Sequence, residues 1–149
     1  MTNAGSASIS AAKAEADKAS ARTDHLSKFW VPFEPAGEGV YFHFGLSSLT
    51  RLEENADKLM PGWMLRGFTP FGVYERMLLD GNSSAIRVVL DCGLKRRGED
   101  GKPAPAVDID LDADQEWSVT DIVRPALEAL AFSFFRKTYS ELLAEAAAS

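Results

Sequence analysis

"KFWVPFEPAGEGVYFHFG", Lys28 to Gly45, decides whether this chain is purely helical or mixed. Two runs rich in aromatic and β-branched residues, Phe29 to Phe33 and Val40 to Phe44, flank "EPAGEG". The proline and glycines of that link are turn formers, so the stretch reads as a β-hairpin. Pro32 has no amide hydrogen to give to a ladder, which puts the first strand at a sheet edge. His43 alternates with Phe42 and Phe44, and so belongs on the polar face of the second strand.

Helical spacing takes over beyond the hairpin. In "GLSSLTRLEENADKLMPG" residues Leu46, Leu49, Leu52, Ala56 and Leu59 recur on one side. Ser47 or Ser48 can cap the start, and Pro61-Gly62 stops the helix. "TPFGVYERMLLDGN" is a second helix, with Thr69 as N-cap and Pro70 as first residue. "SSAIRVVLDCGLKRRG" is a third, with Ile86, Val89, Leu90 and Leu94 on one side. Its basic run, Lys95 to Arg97, suits the negative end of a helix dipole, with Gly98 as the stop; the alternative is a phosphate contact. "GWMLRGF", Gly62 to Phe68, is either a packed connection between helices or a stacking platform for a base or peptide.

The last helix is announced by Ser118 and Asp121 at capping-box spacing, with Trp117 placed to staple onto Ile122. Pro125 kinks it or restarts it. From there to about Ala147 no breaker is visible. Leu127, Leu130, Ala131 and Phe134 form one apolar stripe, and Phe132, Phe135, Tyr139 and Leu143 a second. The arc is wider than a one-sided surface helix buries. The second stripe is therefore the candidate partner-binding surface. Its cover is the N-terminal arm or hairpin, a second copy of the chain, or a partner protein.

These elements predict an α+β fold, mainly α: a small helical domain with an N-terminal β-hairpin and a long C-terminal helix. Residues 1–27, rich in Ala, Ser and Lys, carry no apolar stripe and read as a flexible or helical arm. Residues 28–149 form a single globular domain. A chain of 149 residues with 46% apolar content is large enough for one modest core.

No convincing catalytic set emerges. "VDIDLDAD", Val107 to Asp114, resembles the start of a calcium loop, but its sixth position is Ala113 and its twelfth Val119, where glycine and glutamate are required. Strict alternation of Val107, Ile109 and Leu111 with aspartates fits a half-buried strand or extended loop, its carboxylates in water. Cys92, the single cysteine, lies in an apolar run and reads as a buried small hydrophobe. His25 and His43 have no partner at metal-ligand spacing. The expectation is therefore no enzyme, no metal and no cofactor. A net charge of −6 argues against a nucleic-acid binder. The lack of a signal-type apolar segment, of a membrane-spanning run and of paired cysteines predicts a cytoplasmic protein.

The order of elements also resembles a known family. A short hairpin leads into "FHFGLSSLTRLEE"; a later helix carries "VVLDCGLKRRG"; the last carries "TDIVRPALEALAFSFF". This is similar to the small tail assembly chaperones of tailed phages, in particular those of gene transfer agents. The matching residues are Phe44, Gly45, Leu49, Leu52 and Glu53; Val89, Leu90, Gly93 and Leu94; and Ile122, Ala126, Leu130 and Phe134. The likeness covers roughly residues 33–138. The arm, the "GWMLRGFTPFG" segment and the aspartate run depart from the family pattern. The resemblance implies a non-enzymatic factor in the host bacterial cytoplasm. Such a factor binds the tape measure protein during virion assembly, with tail tube protein or further copies of itself as additional partners. A virion tail component or an acidic host-defence inhibitor is the alternative.

Overall fold

A computed structural model describes residues 27–112 and 116–148. The arm up to residue 26, His25 within it, and Asp114 lie outside the described residues. The fold is α+β and mainly α. In chain order it runs β1 (Val31–Pro32), β2 (Val40–Phe42), α1 (Leu46–Leu59), α2 (Pro70–Leu79), α3 (Ser83–Gly93), β3 (Leu94–Arg97), β4 (Pro103–Pro105), α4 (Val119–Phe135) and α5 (Tyr139–Ala148).

The hairpin forms as the sequence predicts, with Val31 opposite Phe42 and Pro32 opposite Tyr41. A 3-10 turn, Glu34–Ala36, and Gly37 and Gly39 at positive φ make the link. The hairpin does not stand alone. The sheet has four antiparallel strands in the order β1-β2-β3-β4.

The added strands correct the reading of Lys95 to Arg97 as a helix end. α3 stops at Gly93, because the rings of Phe42 and Phe44 cross its backbone there. The His43 amide donates to the Gly93 carbonyl at 2.9 Å. The ladder continues as Phe42–Leu94, Tyr41–Lys95 and Val40–Arg96. Pairing satisfies the second edge of β2, whose backbone groups would otherwise stay unpartnered beside the core. Beyond β3 the chain makes a turn closed by Gly98 N–H to Lys102 O at 2.8 Å and returns as β4.

The helix starts divide. Thr69 caps α2 by accepting from Gly72 N–H, and Asn82 caps α3 by accepting from Ala85 N–H. Ser118 and Asp121 form the reciprocal capping box of α4, at 3.1 and 3.0 Å. α1 differs from expectation: its N-cap is Gly45, with no side-chain cap. Ser48 instead donates across the core to the Cys92 carbonyl at 2.8 Å.

The C-terminal helix is not continuous to Ala147. It breaks at Arg136, which adopts a left-handed conformation with φ of 58°. Arg136 compensates by donating through its guanidinium to the carbonyls of Phe132 and Ser133. Thr138 then caps α5 by accepting from Glu141 N–H at 3.1 Å. Pro125 sits inside α4 without ending it.

One contiguous core joins the sheet to α1–α4. Phe33, Val40, Phe42 and Phe44 come from the hairpin region, Leu52 and Ala56 from α1, and Val73, Tyr74 and Leu78 from α2. Tyr74 is fully buried, and its hydroxyl donates to the Leu52 carbonyl at 2.6 Å, tying α2 to α1.

Candidate partner-binding groove

α4 has a buried side and a second side that its own chain covers only in part. α2 ends beside that second side with Leu78 buried and Leu79 exposed. The break at Arg136 turns α5 back across the same face. The three helices enclose an open groove of about 450 Å³. Leu78, Leu79, Val119, Val123, Leu127, Tyr139 and Leu143 form its apolar lining, and Thr120, Arg124, Glu128 and Ser140 its polar rim. Leu79 is 60% exposed, Val119 47% and Leu143 51%. These are large apolar surfaces converging on one place, which is what marks an interaction site.

Tyr139 fixes the geometry of the groove wall. Its hydroxyl donates to Glu75 Oε2 at 2.7 Å, and its backbone amide to Glu128 Oε2 at 3.4 Å. Burial first, then the neighbouring Glu75 carboxylate, push the phenol well above its ordinary pKa, so it stays a donor. Its ring meets Phe71 at 6.4 Å.

The helix break scatters the four residues read as one stripe. Tyr139 and Leu143 line the groove. Phe135 lies beside it, edge-on to Phe71 at 5.2 Å and partly exposed. Phe132 is buried, with the edge of Phe29 against it at 4.8 Å. Leu79 and Val119 were not singled out from sequence. Each sits at a helix terminus, where spacing says least about which way a side chain faces. Thr138 and Glu141, at capping-box spacing, were the available signal for the break that builds the groove.

The aspartate run is not a strand. Ile109 and Leu111 lie against the core, but Val107 is 89% exposed, so the alternation fails at its first residue. Asp108 takes two hydrogen bonds from Arg96, at 3.0 and 2.6 Å. Asp112 takes one from Arg87 at 2.7 Å. Asp110 accepts from the Asp112 amide at 2.9 Å. These carboxylates are not simply in water; two of them hold the loop against α3 and β3. Among the described residues, no three His, Cys, Asp or Glu side chains are placed to hold a metal ion.

Cys92 is buried, and burial pushes its thiol pKa up, opposite to what a nucleophile needs. Trp117 docks by donating to the Pro35 carbonyl at 2.9 Å and meeting Phe33 edge-on. In "GWMLRGF" Trp63 and Phe68 lie against the core, while Met64, Leu65 and Arg66 face outward from consecutive turns. No helix among the described residues is long and apolar enough to cross a membrane. No protein-family model matches the chain, no curated protein matches it, and no solved structure matches it.

Proposed function

We propose that this protein is a non-enzymatic tail assembly chaperone that binds the tape measure protein during tail morphogenesis. The supporting observation is the apolar groove between α2, α4 and α5. Its open form and apolar lining suit the side-chain ridge of an amphipathic helix laid along it, the helix-in-groove mode of recognition. A tape measure protein is a long helical chain that must be kept from aggregating until tube protein surrounds it. An acidic protein of net charge −6 that covers its apolar stripe leaves a soluble complex. The binding is that of a host-cytoplasm factor and uses no cofactor.

The acidic-inhibitor alternative would require free carboxylates along Val107–Asp112. The pairing of Asp108 with Arg96 and of Asp112 with Arg87 weighs against it.

Co-expression with the tape measure protein of the same genome tests the proposal. Wild type is compared with Leu79→Asp/Leu143→Asp, which changes two exposed groove residues and leaves the core intact. The wild type keeps the tape measure protein soluble and co-purifies with it. The folded double variant does not. Co-purification that survives both substitutions overturns the groove as the contact, and absence of wild-type binding overturns the chaperone reading.

A further inference from the structure

Little holds α5 to the rest of the chain. None of its ten residues is buried. Leu142 packs against the core only in part, and Leu143 is 51% exposed. The firm attachments gather at its first residue, where the Tyr139 hydroxyl donates to Glu75 and the Tyr139 amide to Glu128. Further along, Glu145 pairs with Lys137, which belongs to the bend.

The bend itself is the unfavourable conformation. Arg136 has φ of 58°, a region that residues with a Cβ enter at a cost. The guanidinium bonds to the Phe132 and Ser133 carbonyls offset part of it. The sequence from Ala126 to Ala148 contains neither glycine nor proline, and its end, "ELLAEAAA", consists of strong helix formers. A second conformation therefore lies near the first. Arg136 returns to the right-handed region, α4 and α5 run on as one helix, and the backbone bonds interrupted at the bend form. In that state α5 leaves the groove, and the apolar floor made by Leu78, Val123 and Leu127 is uncovered. The apolar side of α5 also shows what can replace it. Tyr139, Leu142 and Leu143 stand at i, i+3 and i+4, and Tyr139 and Leu143 line the groove.

We infer that α5 is a displaceable lid on the groove. It swings out by straightening at Arg136, and an amphipathic helix of the partner, with an aromatic residue followed by leucines at the same spacing, takes its place. In the free chain the lid keeps the apolar floor covered. Only the identity of the incoming helix rests on the chaperone reading; the hinge is a property of the free chain.

The test reads one distance in the full chain without a partner. Nitroxide labels are placed on Arg124→Cys and Ala147→Cys, both exposed, and measured by double electron–electron resonance; Cys92 is buried. A straight helix, at about 1.5 Å per residue, sets the two positions about 35 Å apart. The bent chain holds them much closer, because Leu143 shares the groove with Val119 and Val123. Arg136→Ala and Arg136→Gly are compared in this background. Arg136 is exposed, so neither change disturbs the core, and both lose the guanidinium bonds. Alanine disfavours the left-handed region and favours helix; glycine does the reverse. The ratio of straight to bent molecules is therefore higher in Arg136→Ala by about tenfold or more. The expected result is a short distance in Arg136→Gly and an added population near the straight-helix distance in Arg136→Ala. Only the short distance in both, or equal populations in both, overturns the lid. A broad distribution without the long peak overturns it as well, because it reports an unravelled α5. A hinge seen in a chain that fails to co-purify with the tape measure protein upholds the lid and overturns only that partner.

Discussion

Gly93 joins α3 to β3, and adding one methyl there measures how closely that helix approaches the sheet. A Cβ on Gly93 would stand 2.6 Å from Cε1 of Phe44, nearer still to its Cζ, and 3.2 Å from Cδ1 of Phe42. Carbon atoms pack at about 3.5–4.0 Å, so the Phe44 ring would have to move by roughly 1 Å. It has little room. Phe44 is buried, and the Phe42 ring lies stacked beside it at 6.2 Å with an interplanar angle of 9°. Overpacking a core costs about 1–3 kcal/mol, and a rigid, enclosed ring belongs at the upper end. Alanine gains back about 0.5–1 kcal/mol through helix propensity and a less flexible unfolded chain. The net expectation for Gly93→Ala is a loss of about 2 kcal/mol. With a urea slope of about 1–3 kcal/mol/M, the denaturation midpoint falls by about 1 M.

The double variant Gly93→Ala/Phe44→Leu separates this cause from others. Phe44→Leu alone leaves a cavity and destabilises; in the double variant the methyl occupies that space. The two losses then add to less than their sum, with a coupling of about 1 kcal/mol or more. A Gly93→Ala protein as stable as wild type, or strict additivity in the double variant, would refute the close approach.

Other expectations follow from single contacts. Tyr74→Phe removes the hydroxyl that binds the Leu52 carbonyl and lowers unfolding free energy by about 1–1.5 kcal/mol in urea denaturation. Ser118→Ala removes half of the α4 capping box and costs about 1 kcal/mol, read the same way. Arg136→Val puts a β-branched side chain in the left-handed region and is less stable than Arg136→Gly by at least about 1 kcal/mol in thermal unfolding. For Asp108, the hydrogen bonds from Arg96 hold the carboxyl below its ordinary pKa. A folded pKa below the unfolded one gives stability that is present above the unfolded pKa and lost as pH falls through the folded value. Carboxyl NMR titration therefore finds Asp108 below the usual aspartate range, and Arg96→Gln returns it there; an unchanged midpoint in that variant would remove the ion pair from the account.

The fold class was legible because its signals are local. Thr69-Pro70, Ser118-Asp121 and the Pro-Gly turn of the hairpin each act within a few residues, and each forms as the sequence predicts. The failures are non-local. Leu94 to Arg97 follow α3 directly and have charges suited to a helix end. They become a strand because β2, about a third of the chain away, offers an open ladder and because Phe42 and Phe44 stop α3 at Gly93. The break at Arg136 had no glycine or proline to announce it. A guanidinium folded back on the preceding carbonyls stabilises it, a device with no fixed spacing. Since that break builds the groove, the site was legible only in part. Tyr139 and Leu143 were chosen for their apolar character at helical spacing, and they do line it. Phe132 shares that spacing but is covered by Phe29, a contact no helical wheel contains. Leu79 and Val119 were missed because a terminus has no periodicity to read.

The sheet ends in proline on both sides: Pro32 in β1, and Pro103 and Pro105 in β4. An incoming strand needs a row of amide protons to zip onto, and neither border presents one in full. Many copies crowded side by side on a rod-shaped partner would meet at high local concentration, where exposed ladders fuse into fibres. On the proposed reading, neither sheet border among the described residues gives such neighbours a full row of amide protons to join, which favours separable units over a fused sheet.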